Sequence, residues 1–421
     1  MRILLTRTFS SLANKHFRFL WLSIGMNGYS NTVSLVALSW MALEFTGSPL
    51  GVGLVVASRT VPKLVFSLPL GILSDRIGRR VPLQVTNYAG AVMSLVAVTM
   101  SLSGGVNIYV VLGLAMMVGA LDAAQTTFCK AYVFDLLGRE EAVNGMTMEN
   151  LANRVFGVIA GFTSGLLLYS LGGAATFAAM AASYFLSAVI LHAIPAQYMA
   201  PDVRSEIDAT TSLPFLQTVM QLLRKPVVLV FVTIAATAEI FAYSSEVLLP
   251  SFAKEIHQVG ELGLGTLVSL SNAGGVLALL VMANFARRID AEKMLLITSC
   301  AFGITLVLFA ISPTFVFAAC VMLFVGMTWS LADVLLPTAL QMGVGHSDRG
   351  SVMGLWNLSR GLGPLGQLEI GLVASTLGVV LTQVANGLIF LTTSLLMTAL
   401  YFRYAKKSVD LPYVRRESEQ I

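Results

Sequence analysis

The sequence predicts an all-α membrane protein, with twelve transmembrane helices arranged as two six-helix bundles. Three observations carry that reading. Only 11% of the 421 residues are charged and 56% are hydrophobic, with a mean hydropathy of +0.80, whereas soluble domains carry roughly 25% charge. Twelve apolar runs each approach the roughly 20 residues that a helix needs to cross a hydrocarbon core. The lysines and arginines fall almost entirely in alternate connections between those runs.

In chain order the runs begin near Phe17, Leu50, Pro82, Asn107, Ala142 and Gly173, then near Pro226, Gly263, Lys293, Thr314, Gly350 and Gly378. The first follows a basic segment (Arg2, Arg7, Lys15, Arg18) but is too long for a signal-peptide core and lacks a cleavage site, so it reads as a retained span. Connections such as SLSGGVN (101–107) and SLGGAA (170–175) are charge-free. The alternate ones hold Arg76, Arg79 and Arg80; Lys130 and Arg139; Arg204, Arg224 and Lys225; Arg287, Arg288 and Lys293; and Arg349. With both termini included, 21 of the 26 Lys and Arg lie on one side, and in the loops of the other side only Lys254 is basic. By the positive-inside rule the basic side is cytoplasmic and holds both termini, as an even span count requires. The pI near 9.0 is explained by this placement, and no nucleic-acid partner is expected. Cys129, Cys300 and Cys320 lie in apolar stretches at unrelated spacings, so neither a disulfide framework nor a metal site is expected.

The longest polar interruption divides the chain into a bundle over 1–194, a linker over 195–225 and a second bundle with a basic tail over 226–421. Within the linker Leu216, Val219, Met220 and Leu223 share one helical face, which predicts a short helix lying on the membrane surface. The halves also resemble each other. Residues 28–51 align without gaps to 242–265, and Arg154-x-x-Gly157 matches Arg360-x-x-Gly363. Such an internal repeat is expected of a transporter built from two related bundles.

Between the second and third runs stands GILSDRIGRR, Gly71 to Arg80. Gly71, Asp75, Arg76, Gly78, Arg79 and Arg80 make it a tight, charged turn at a membrane surface. Its spacing closely resembles the loop between helices 2 and 3 of the major facilitator superfamily, where it forms part of the gate. ARRIDAEK (286–293) occupies the matching place in the second half, with Ala286 where the first half has Asp75. FRFLWLSIG near the start, RTVP (59–62) and NLANRVFGVIAG (150–161) look most like the exporter branch that contains the enterobactin exporter and macrolide and multidrug pumps. The chain departs from the superfamily's drug antiporters at Gly157-Val158 in the fifth run, where they typically carry Gly-Pro; here Gly-Pro falls at Gly363-Pro364. The resemblance implies the major facilitator fold, with helices 1, 4, 7 and 10 around a central cavity.

Ionisable residues inside a bilayer are costly and usually face a cavity or a partner. This chain has Arg59 and Lys63 on one face of the second run, Asp122 in the fourth, Glu149 and Arg154 in the fifth, Glu239 and Glu246 in the seventh, Asp333 in the tenth, and Arg360 and Glu369 in the eleventh. Asp122 is expected to pair with Arg59, Lys63 or Arg154, and Asp333 with Arg360, fastening each bundle. Glu239 has no basic residue nearby in sequence and is the leading candidate for reversible protonation. Tyr29, Asn31, Trp40, Gln125, Trp329, Asn357 and Gln367 are further candidates for substrate contact. Gly157, Gly161 and Gly165 are small-residue steps suited to close helix packing.

Together these features point to a secondary transporter, with export of a small polar compound such as a siderophore coupled to protons. Multidrug/proton antiport and uptake of an anionic metabolite are alternatives, and a transporter-like sensor is the alternative from another class. No cofactor is expected: there is no G-x-x-x-x-G-K-[ST] phosphate loop and no nucleophile–base pair at recognisable spacing, so the chain is not read as an enzyme. The expected partners are the substrate, protons and the lipid bilayer, and the expected state is a monomer in a bacterial inner membrane.

Overall fold

The computed structural model describes residues 10–74, 78–195, 222, 224–285, 290–345 and 348–409. The first bundle comprises α1 (Lys15–Thr46), α2 (Pro49–Ser74), α3 (Arg80–Leu102), α4 (Ile108–Gly138), α5 (Asn144–Leu171) and α6 (Gly173–Ile190). The second comprises α7 (Pro226–Ile256), α8 (Gly260–Phe285), α9 (Ala291–Ala310), α10 (Phe315–Met342), α11 (Arg349–Arg360 followed by Gly363–Leu377) and α12 (Val379–Val409). Ten of these passes are long and apolar enough to cross a membrane by length and hydropathy alone. The other two are α1, which is rich in serine and asparagine, and α11, which is broken.

Local chemistry sets the boundaries. Asn14 caps α1 by accepting from the amides of His16 (2.9 Å) and Phe17 (3.3 Å), and Asn107 caps α4 in the same way. Asp290 caps α9 through the amide of Lys293, whose side chain holds the Asp290 carboxyl below the usual carboxylate range. Between α4 and α5 the chain turns at Gly138, whose φ of 72° favours glycine. The break in α11 has its cause in Pro364, which gives no amide hydrogen and whose ring would meet the carbonyl of Arg360, four residues back. Arg360 therefore ends one helical segment instead of sitting inside a continuous one.

Within the first bundle the serines and asparagine of α1 bond across to α6. Ser187 Oγ lies 2.7 Å from both Ser23 Oγ and Asn27 Nδ2, and Ser183 donates to the Met26 carbonyl at 2.7 Å. Small polar residues let these helices approach and satisfy one another in an apolar medium.

The two bundles meet along two glycine seams. A Cβ placed on Gly53 of α2 would stand 2.5 Å from the Gln367 carbonyl oxygen of α11, and one on Gly371 would stand 3.0 Å from the Pro49 carbonyl oxygen. At the other seam, a Cβ on Gly161 of α5 would lie 2.7 Å from the Ser269 amide nitrogen of α8, and one on Gly165 would lie 2.7 Å from the Glu261 carbonyl oxygen. Ser269 Oγ also donates to the Val158 carbonyl at 2.8 Å. Both seams lie at the helix ends remote from the basic connections. The expected surface helix of the linker, positions 286–289, and Asp75 and Arg76 lie outside the described residues.

Candidate functional site: a central cavity between the bundles

A cavity of about 1010 Å³ separates the bundles. Its lining runs to Met146, Met282 and Gln341, close to the helix ends that carry the basic connections; toward the other end it reaches Phe309 of α9 but, on α2 and α8, ends at Val56 and Val268, short of the glycine seams. The cavity thus opens toward the base-rich end and is closed at the other.

On the first bundle's wall, Arg59 and Lys63 occupy successive turns of α2. A Cβ on Gly119 would fall 2.0 Å from the Arg59 carbonyl oxygen, so α4 lies directly against α2 there. Asp122, one turn further on, then forms an ion pair with Lys63 and accepts from Asn31 Nδ2 at 3.3 Å. Arg59 donates to the Asn31 carbonyl at 3.1 Å, while its Nε is buried without a partner among the described residues.

On the opposite wall one guanidinium serves two carboxylates. Arg360 Nη1 lies 3.2 Å from Asp333 Oδ1, and its Nε lies 3.8 Å from Glu239 Oε1. Its guanidinium carbon stands 5.1 Å from the Trp356 ring centroid. The expectation that Glu239 lacks a basic partner is therefore corrected: the partner comes from α11, a separate stretch of chain. Glu239 sits in a π-helical turn, Ala238–Ala242, and Glu246 in the following 3-10 turn, Tyr243–Leu248. Gly366 explains how α11 reaches this turn, since its missing Cβ would be 2.5 Å from the Ile240 carbonyl oxygen. Irregular helical turns in transporters concentrate where a site is built.

Arg154 and Glu246 line the same cavity, Arg154 on α5 and Glu246 on α7. Arg154 lies against Gly275 of α8, where a Cβ would stand 2.9 Å from Arg154 Cδ, so the side chain has crossed to the second bundle. Nearer the mouth are Lys130 and the buried Glu149, in electrostatic reach of each other. Lys130, expected in a connection, lies inside α4. Asn27, Asn153, Asn272 and Gln341 also line the cavity. Their signal in the sequence was the presence of amides in otherwise apolar runs.

Among the other candidates, Asn31, Gln125 and Trp329 line the cavity. Tyr29 instead hydrogen-bonds Thr163 at 2.9 Å, Gln367 belongs to a glycine seam, and Trp40 lies under Lys254, whose Nζ is 5.6 Å from the ring. In the GILSDRIGRR loop, Arg79 pairs with Asp135 of α4, and Arg80 donates to the carbonyls of Leu191 (3.0 Å) and His192 (3.2 Å) after α6. These contacts tie the first bundle to itself. Gly71 and Gly78 face open space.

The sequence profile of the Major Facilitator Superfamily matches residues 20–366. The chain belongs to that superfamily. It is 22% identical over 382 residues to the staphyloferrin A transporter of Staphylococcus aureus, covering 90% of this chain and 94% of that one. It is 25% identical over 374 residues to the multidrug efflux pump Tap of Mycolicibacterium fortuitum, covering 86% and 90%. Among solved structures it is similar to a bacterial homologue of the human lysosomal transporter Spinster in an inward-facing, unoccupied conformation (TM-score 0.70, 15% identity, 92% and 98% covered). It is also similar to the nucleoside transporter NupG (TM-score 0.70, 14% identity, 92% and 99% covered). This major facilitator protein is thus a multi-pass membrane transporter with the expected twelve-helix fold.

Proposed function

We propose that this transporter exports a small, polar, charged organic compound, a siderophore being the leading class, in exchange for protons. The base-rich end faces the cytoplasm, and the bundles rock about the cavity. The observation that carries this reading is the cavity wall: ion pairs and unpaired charges of both signs, contributed by both bundles, around a volume at the upper end of that usual for small-molecule sites. A purely apolar drug would leave those groups unmatched. The relative named for staphyloferrin A supports the polar reading. Glu239 is the proton carrier in this scheme, because Arg360 is shared with Asp333 and cannot neutralise both acids.

Multidrug efflux is the second reading. Trp329, Trp356, Phe309, Met322 and Met353 line the cavity, flexible and flat surfaces that adapt to varied apolar ligands, and a relative is named a multidrug pump. Culture media of a deletion strain and its complemented parent, compared by mass spectrometry, separate the two. A polar compound released only with the gene, and taken up by inverted vesicles only under a proton gradient, is the expected result. Loss of ethidium efflux with no change in the medium would favour the drug reading.

A further inference from the structure

Four of the cavity's charges lack a close partner among the described residues: Lys130 and Glu149, in each other's field near the mouth, and, deeper in, Arg154 and Glu246. Lys63 is held by Asp122, and Arg360 by Asp333 and Glu239. Arg154 has no hydrogen bond and no ion pair within 4 Å among the described residues, nor does Glu246. One is a cation of the first bundle, the other an anion of the second. Each lies in the other's field, and Arg154 more strongly in that of Asp333, yet neither carboxylate touches Arg154. The surroundings of Arg154 are also short of partners: the Ser330 hydroxyl, which like Arg154 lies against Gly275, is buried and unbonded, as is that of Tyr243, in electrostatic reach of Arg154.

An unpaired guanidinium from α5 and an unpaired carboxylate from α7, both lining one cavity, form a receptor for a molecule that carries both charges. We propose that the cavity binds a zwitterion, its anionic group on Arg154 and its ammonium group on Glu246, so that the substrate bridges the two bundles. Arg59 and Lys63 also act on Glu246. A substrate anion drawn to this cationic wall takes up part of that field and leaves Glu246 available to the ammonium group. Charge-assisted contacts of this kind are about twice as strong as neutral ones. Gly275 belongs to the same device, because any side chain there would push Arg154 out of position.

This inference rests on the reading of the cavity as the transport site, but not on proton coupling or on direction. Its test uses three probes of one shape: phenylalanine (zwitterion), phenylalaninamide (cation) and N-acetylphenylalanine (anion). Binding to the full-length protein in nanodiscs is measured by ligand-observed NMR. Phenylalanine should bind about tenfold more tightly than either capped form, the order expected of one charged hydrogen bond. Arg154→Gln should erase the advantage over phenylalaninamide alone, and Glu246→Gln the advantage over N-acetylphenylalanine alone. Gly275→Ala, which keeps every charge, should imitate Arg154→Gln, and unchanged melting temperatures confirm folding. Equal binding of the three probes, binding of none, or loss of both preferences in each variant overturns the proposal. Zwitterion binding without gradient-driven transport would leave it standing and defeat the exporter reading instead.

Discussion

The two bundles repeat one architecture but load it with opposite charge. Around the cavity the first carries Arg59, Lys63, Lys130 and Arg154 against Asp122 and Glu149, and the second carries Glu239, Glu246 and Asp333 against Arg360. In the first, cations are in excess: Asp122 is fixed by Lys63, and Glu149 lies in the field of Lys130 nearer the mouth. In the second, two acids compete for one guanidinium, the nearer at 3.2 Å and the other at 3.8 Å. A surplus acid in a low-dielectric cavity can be neutralised by a proton, which arrives and leaves with a change of access. A surplus cation cannot discharge in that way and must find an anion. Under the proposed exchange, protons are carried by the second bundle and the substrate's anionic group is captured by the first.

The largest expected effect lies where the bundles meet. Gly161→Leu would force a side chain against Ser269 and Gly265, within 3.0 Å of both at its Cβ alone. Transport should fall to background, and cysteines engineered near Gly53 should become reachable from the closed side. Unaltered transport would show that the seam is not the closure.

The acids should then separate the bundles by stability. Asp122→Asn removes the carboxylate paired with Lys63, at an expected cost of about 2–4 kcal/mol, below the full penalty of a sealed pair because Lys63 is 41% exposed. Asp333→Asn should cost about half of that or less, since Glu239 remains beside Arg360. Adding Glu239→Gln to Asp333→Asn should then cost more than the two single changes summed. Unfolding of each variant in mixed micelles checks the order, and equal losses at Asp122 and Asp333 would erase the asymmetry.

The smallest effect is expected at Lys254, the base that stood alone on its side in the sequence. Its ammonium stands over Trp40 of the first bundle, a contact worth about 0.5–1 kcal/mol when exposed. Lys254→Gln should shift the balance toward the outward-open form by a few-fold at most. Double electron–electron resonance distances between labels on the two bundles measure that shift.

Much of this was legible in the sequence for identifiable reasons. Apolar run length, one-sided bases and GILSDRIGRR are local signals, and they gave the fold and the existence of the intramembrane charges. The partner of Asp122 was readable to within three residues, Arg59, Lys63 or Arg154, because cations in apolar runs had to face the interior; the structure selects Lys63. Glu239 and Arg360 were not, because their meeting depends on Gly366 bringing α11 onto the π-turn of α7, and a π-turn leaves no mark in hydrophobic periodicity. The Gly363-Pro364 pair was visible, but its consequence, a break that frees Arg360 at a helix end, belongs to three dimensions. Lys130 was misplaced because a cation near a basic connection looks like part of it until the helix is seen to continue.

The most direct measurement of the central claim is infrared difference spectroscopy of the protein in lipid bilayers across a pH titration, following the carbonyl stretch of protonated carboxylic acids. The account predicts one such band that disappears as pH rises, is missing in Glu239→Gln and persists in Asp122→Asn. A band that survives Glu239→Gln and vanishes in Asp122→Asn would place the exchangeable proton in the first bundle and contradict the account.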